Sequence, residues 1–219
     1  MKQLLIKAGY KTDYSVPTAL LEHFEQLPEK IGLISTIQFS DFLKAIKKKL
    51  EKAGKKVFLN GTGMILGCNA APALAVESNA QAFLYIGSGK FHLIQMAMSL
   101  KKQKRIFIFN PLTEEFSEIS WNEVEKFKTR KEVSKVRFLS ADYVGLLVST
   151  KWGQLHLDQA LKLKEKTEKG SKDKKVYIFL FDEFQEEQRE NWPEIKSWVN
   201  TACPGIGLDS SVAWIGDVL

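Results

Sequence analysis

The sequence predicts an α/β protein of two similar Rossmann-like units with parallel sheets, related by approximate duplication. Three observations predict this. Short apolar runs without polar alternation recur along the chain, as expected of strands buried on both faces. Segments with apolar residues three and four apart follow them, the spacing of a helix that covers a sheet. One order of parts, a strand ending in Ser-Thr, then a helix, then a strand, occurs at 31–59 and again at 144–180.

Residues 1–28 are mixed in character, end in Leu27-Pro28 and read as an N-terminal arm. Ile31-Gly32-Leu33-Ile34-Ser35 is the first buried strand. Phe39, Phe42, Leu43, Ile46 and Leu50 then trace one face of an amphipathic helix whose outer face carries lysines. Gly54 ends that helix, and Val57-Phe58-Leu59 is the next strand. The β–α–β crossover this creates is right-handed. A glycine-rich loop, Gly61 to Asn69, enters a helix through Ala70 to Val76. Ala82 to Ile86 is the third strand, followed by Gly87-Ser88-Gly89-Lys90-Phe91-His92 and a helix to about Leu100. Ile106 to Phe109 is the fourth strand, closed by Asn110-Pro111, and Trp121 to about Phe138 is a long charged helix. The first unit accordingly spans 29–138 and the second 139–219.

In the second unit, Val144-Gly145-Leu146-Leu147-Val148-Ser149-Thr150 matches the first strand of the first unit in kind. Gln154 to Lys169 is its amphipathic helix, with Leu155, Leu157, Leu161 and Leu163 as the apolar positions. Val176 to Leu180 and Trp198 to Thr201 are further strands, and Cys203-Pro204 follows directly. The two cysteine loops fall at different offsets, so the repeat is approximate.

Composition narrows the function. The chain of 219 residues is 44% hydrophobic and 26% charged, ordinary for a folded protein. No apolar run reaches the roughly 18 residues a membrane-spanning helix requires, and the N-terminus has no signal-peptide pattern, so no membrane association and a cytoplasmic location are expected. The net charge of +6 comes partly from runs such as Lys47-Lys48-Lys49 and Lys101-Lys102. Such a run is either a solvated helix face or an attraction for RNA or for an RNA-bound protein. No nucleic-acid signature accompanies it, and direct nucleic-acid binding is not expected. Two cysteines, Cys68 and Cys203, make no disulfide framework. They lack the CxxC spacing of a zinc ribbon, and no histidine stands at ligand spacing from either.

The polar elements fall together at predicted strand ends, where parallel sheets bind ligands: Ser35-Thr36, Cys68, Gly87 to His92, Ser149 to Gln154, and Cys203. Each has a plain structural reading beside the functional one. Gly87-Ser88-Gly89 is a tight turn or an anion cradle of backbone N–H groups. His92 is a helix-start residue or a ligand contact. Ser149 or Thr150 caps a helix, or Ser149-Thr150-Lys151-Trp152-Gly153-Gln154 holds a carboxylate or phosphate. Each cysteine is a small buried apolar residue or a soft metal ligand, and two such loops can converge on one metal centre.

Leu66-Gly67-Cys68-Asn69, Tyr85 to His92, Val148 to Gln154 and Asn200-Thr201-Ala202-Cys203-Pro204, in that order, resemble the radical enzymes of diphthamide synthesis, the 2-(3-amino-3-carboxypropyl)histidine synthase family. The resemblance runs from about Leu27 to Asp209. It implies α/β domains around a central site, each giving one cysteine to a 4Fe-4S cluster, with S-adenosylmethionine bound at the open iron. It implies transfer of a 3-amino-3-carboxypropyl group to a histidine of translation elongation factor 2. Cys68 and Cys203 would then be cluster ligands. Gly87, Ser88, Gly89, Lys90, Phe91 and His92, with Ser149, Thr150, Lys151 and Gln154, would line the S-adenosylmethionine pocket. The resemblance covers the family's second and third domains and not its first, and the family's Cys-Pro-Arg is here Cys203-Pro204-Gly205. The expected role is therefore a transferase subunit, completed by a homologous chain or a separate first-domain protein. The alternative is a non-catalytic scaffold subunit of the same complex. No general acid or base is assigned.

Overall fold

A computed structural model describes residues 16–206 and 212–219. The chain divides into two compact units, Met1–Val124 and Glu125–Leu219. That division assigns most of the long charged helix to the second unit, whereas the sequence boundary left it with the first.

In the first unit, strands β1 (Lys30–Ser35), β2 (Lys56–Phe58), β3 (Ala82–Ile86) and β4 (Arg105–Asn110) are parallel. A fifth, β5 (Glu115–Glu118), runs antiparallel to β4, and the order is β2-β1-β3-β4-β5. Helices α1 (Thr18–Leu21), α2 (Phe42–Lys52), α3 (Ala71–Leu74) and α4 (Phe91–Ser99) complete it, with the start of α5 (Trp121–Ser140). Phe42, Leu43, Ile46 and Leu50 are buried on α2 as the spacing predicts. Gly54 ends this helix at φ +81°: its N–H donates to Glu51 O, and the Lys55 N–H donates to Leu50 O at 3.0 Å. This left-handed glycine cap satisfies two carbonyls that the helix itself leaves open.

The second unit has β6 (Tyr143–Ser149), β7 (Lys175–Phe181), β8 (Ser197–Asn200) and β9 (Ala213–Trp214), all parallel, in the order β7-β6-β8-β9. Helices α6 (Leu157–Gly170) and α7 (Ile215–Val218) belong to it. Each unit thus places its second strand outside its first and its third strand on the other side. The likeness extends to one packing detail. Gly32 on β1 pairs with Phe83 on β3, and Gly145 on β6 pairs with Trp198 on β8. In both units the aromatic ring lies over the glycine: a Cβ at Gly32 would stand 2.5 Å from Phe83, and one at Gly145 would stand 2.5 Å from Trp198.

In the described part of the N-terminal arm, Leu20, Phe24 and Leu27 are buried in the core that holds α2 and β1; residues 1–15 lie outside the described residues. Two expectations are corrected. The helix expected through Ala70 to Val76 is only the single turn α3. The helix expected from Gln154 starts at Leu157, and its buried residues are Ala160 and Leu163. Leu155, Leu157 and Leu161 are 54%, 38% and 48% exposed. Gly153 at φ +76° turns the chain before the helix begins. Residues 160 and 163 then share the sheet-facing side, and 157 and 161 fall on an adjacent one.

Strand β5 went unread in the sequence. Its Phe116 stacks on Phe107, and the Arg105 guanidinium donates to both carboxylate oxygens of Glu118, at 2.9 and 2.7 Å. Only Glu115-Phe116-Ser117 alternates in polarity after Asn110-Pro111, and Glu118 breaks the pattern, so the strand signal here is three residues long.

Candidate functional site

Both cysteines occupy tight turns just past the C-terminal ends of the sheets. In the first unit the chain leaving β2 pairs briefly with the end of β1. The Ser35 N–H donates to Gly63 O at 2.9 Å, and the Ile65 N–H donates to Ser35 O at 2.8 Å. Only glycine fits at 63, where φ is +68° and a Cβ would stand 3.0 Å from the Leu33 carbonyl oxygen. Leu66 and Asn69 then exchange two backbone hydrogen bonds, 3.0 and 3.1 Å, so Gly67 and Cys68 form the tip of a two-residue turn. The Asn69 Oδ1 accepts from the Ala71 N–H at 3.0 Å and starts α3. Cys68 is exposed at this tip, which sets aside the buried apolar reading.

The turn rests on the beginning of α4. A Cβ at Gly67 would lie 2.6 Å from the Phe91 ring and 3.6 Å from His92 Nδ1. The structure therefore seats the Gly67 side of the Cys68 turn against Phe91 and His92. Gly87 is buried and its N–H donates to Phe109 O at 3.0 Å, while Gly89 takes φ +74°. Lys90 projects outward and pairs with Glu123 at 3.0 Å. Burial of His92 lowers its pKa below the usual imidazole value of 6.5. As the pH falls through that range, the unfolded imidazole takes up a proton before the folded one, so stability drops. An NMR titration is expected to place the His92 midpoint below 6.5. A His92→Gln variant is expected to lose less stability than the parent between neutral pH and about pH 5.

In the second unit, Ser149 is fully buried and its Oγ accepts from the Lys151 N–H at 3.1 Å. The Thr150 Oγ1 bonds Asp182 Oδ1 at 3.2 Å. These hydroxyls close the loop itself. Neither caps α6, whose first turn begins after His156 without a side-chain cap. The loop borders a cleft of about 500 Å³ lined by Ser149, Lys151, Gln154, Asp182, Glu183 and Phe181, among others. Lys151 reaches Glu183 at 4.0 Å.

Cys203 is half-buried at the start of another turn: the Ile206 N–H donates to Cys203 O at 2.9 Å, and the Gly205 N–H donates to Cys203 Sγ at 3.4 Å. Asn200, fully buried at the end of β8, donates from Nδ2 to Ile206 O at 2.9 Å and to Ala213 O at 3.4 Å. Thr201 donates from N and Oγ1 to Leu147 O, at 2.9 and 3.1 Å. Asn200 and Thr201 therefore shape the Cys203 turn. Sequence reasoning quoted both within a motif but assigned them no role. Among the described residues, no group of three or more His, Cys, Asp or Glu side chains is arranged to hold a metal ion. No described helix is long and apolar enough to cross a membrane.

These features define a class: a doubly wound α/β protein that presents one accessible thiol beyond the sheet of each unit. The sequence profile of the diphthamide synthesis protein family matches residues 7–217, and the chain belongs to that family. It is 29% identical over 215 residues to the 2-(3-amino-3-carboxypropyl)histidine synthase of Pyrococcus horikoshii, covering 94% of this chain and 60% of the relative. It is 27% identical over 191 residues to the synthase of the same name from Methanocaldococcus jannaschii, covering 85% of this chain and 48% of that one. A crystal structure of Dph2 from Pyrococcus horikoshii with a 4Fe-4S cluster matches with a TM-score of 0.74 at 27% identity, over 91% of this chain and 60% of the other. The chain thus spans about half to three-fifths of the length of these relatives.

Proposed function

We propose that the chain is a subunit of a 3-amino-3-carboxypropyl transferase that modifies a histidine of translation elongation factor 2, the first step of diphthamide formation. S-adenosylmethionine is the donor. Cys68 and Cys203 ligate a 4Fe-4S cluster, and a further thiolate comes from a homologous chain or a separate domain. The observation that carries this reading is the placement of both thiols on short, hydrogen-bonded turns at strand ends, in a fold that matches the cluster-bearing Dph2 structure.

The donor chemistry fits. Accessible thiolates are the usual ligands of iron–sulfur clusters. The paired hydrogen bonds of Leu66 and Asn69 hold the Cys68 turn in one shape, so little ordering remains when a ligand is taken. The Gly205 N–H at the Cys203 sulfur withdraws charge from a thiolate there, a contact that raises the reduction potential of a bound cluster. When bound, such a cluster supplies the single electron for reductive cleavage of the donor's S–C bond. This chain's loops do the rest: Gly87 to His92 and Ser149 to Gln154 contact the donor, and Phe91 seats the Cys68 turn against the first of them.

Anaerobic iron and sulfide reconstitution of the full chain with its partner tests this. The visible absorbance and reduced-state EPR signal of a thiolate-bound cluster are expected. Both should be lost in a Cys68→Ala, Cys203→Ala double variant, together with modification of elongation factor 2. A complex that stays colourless sinks the reading. The second reading, a scaffold subunit, is favoured by Gly205, which stands where the family's Cys-Pro-Arg has its arginine. It gains if the double variant still supports modification at the parental rate.

A further inference from the structure

The two faces of the second sheet are covered unequally. Val144, Leu146 and Val148 of β6 lie on the side of α6, in one core with Ala160 and Leu163. Leu147 belongs to the other face, where it joins Trp198, Ile195, Phe179 and Phe181. Between β7 and β8 the chain forms no α-helix, only a 3-10 stretch, Glu186–Asn191, with no buried residue. A layer of rings stands where a helix would cover the sheet. The Phe179 ring centroid is 4.7 Å from that of Trp192 and 4.9 Å from that of Trp198, and the two indoles are 6.3 Å apart. Trp192 is 38% exposed. A groove of about 440 Å³ opens beside these rings, lined by Trp192, Pro193, Trp198, Glu186, Glu187 and Glu190, among others.

The charge at this groove opposes that of the chain. Residues 182–194 carry six acidic side chains against one basic, Arg189, while the whole chain has a net charge of +6. Arg189 pairs with Glu186 at 3.4 Å. Among the described residues, Glu187, Glu190 and Glu194 make no ion pair, and no acidic group is gathered tightly enough to hold a metal ion. An aromatic floor with spread carboxylates suits a guanidinium, which stacks on an indole face and donates to carboxylate oxygens through a planar fork. An ammonium is more strongly hydrated and loses more on entering such a groove. Glu186 also lines the cleft beside Ser149, so the two clefts adjoin. Adjoining clefts suit a run of chain rather than one small cation.

We propose that this groove docks an extended, arginine-bearing segment of a partner polypeptide, with a guanidinium on the Trp192 indole and Glu187 and Glu190 as its acceptors. A second copy of the chain would have to bring one of its basic faces into the groove of the first. That head-to-tail contact leaves a further groove open at the end of each assembly. The inference stands apart from the cluster and the donor, since it uses none of the residues assigned to them.

The test measures binding of fluorescent peptides to the full chain by anisotropy. One probe alternates glycine and arginine, a second carries neutral citrulline in place of each arginine, and a third carries lysine. The arginine peptide is expected to bind at least roughly tenfold tighter than the citrulline peptide, and tighter than the lysine peptide. Trp192→Ala is expected to weaken it by about tenfold, as is the pair Glu187→Gln and Glu190→Gln. Glu132→Gln, on the exposed side of α5, is expected to leave it unaltered. Both groove glutamates are exposed, so their double variant reads the groove even where loss of the indole unfolds the unit. An arginine peptide that binds no tighter than the lysine or citrulline one, or equally well to both groove variants, overturns the proposal. Self-association of the parent in sedimentation that Trp192→Ala abolishes also overturns it, and gives the groove to a second copy.

Discussion

Replacing Gly32 or Gly145 by valine is expected to cost roughly 3 kcal/mol or more, enough to unfold most of a marginal unit. Neither glycine has a positive φ, so the backbone tolerates a side chain, and the lost chain entropy of glycine would even favour the substitution by about 0.4–1 kcal/mol. Packing decides the sign. A Cβ at 32 would stand 2.5 Å from the Phe83 ring and one at 145 would stand 2.5 Å from Trp198, and both rings are buried in close-packed layers. A ring held on all sides cannot retreat without moving its strand. Alanine should show the same clash at about 1–3 kcal/mol. A double-mutant cycle with Phe83→Ala gives the decisive comparison. Removing the ring should relieve the clash, so the two single losses should sum to more than the double loss by at least about 1 kcal/mol. Additive losses in urea denaturation would mean that the ring does not lie over Gly32.

Asn200→Ala is expected to destabilise the second unit by roughly 2–4 kcal/mol, because it takes the donor from two carbonyls, Ile206 and Ala213. The local effect matters more. The Asn200 amide ties the far end of the Cys203 turn to the sheet, so the turn should open and the thiol become easier to reach. In a Cys68→Ala background, alkylation of Cys203 should accelerate by at least about tenfold under native conditions, as expected when an opening about 1.4 kcal/mol easier admits the reagent. Asn200→Asp should be worse than alanine near neutral pH, since it buries a carboxylate facing carbonyl oxygens. Its folded pKa would be raised, so the variant should recover stability as the pH falls and lose it again as the pH rises through that pKa. An alkylation rate that does not change in Asn200→Ala would show that the turn is held by other means.

Much of this was legible from residue order alone. Unbroken apolar runs such as Ile31 to Ser35 and Val144 to Ser149 determined the buried parallel strands, because a strand covered on both faces has no polar side to show. The glycine shared by the two runs at 32 and 145 marked the same place in each sheet. The Ser-Thr, glycine and cysteine elements were predicted at strand ends, and the structure puts them there. What stayed hidden depends on which surfaces meet. Helical spacing could not tell which leucines of α6 face the sheet, since 157, 160, 161 and 163 all lie within reach of one broad face. The short strand β5 is half solvent-facing and draws its stability from Phe107 and Arg105 on β4. Tyr85 and Gln95 read as ordinary strand and helix residues. Only the folded chain shows their polar atoms buried without partners, because the supply of hydrogen-bond partners is a property of neighbours in space and not of neighbours in sequence.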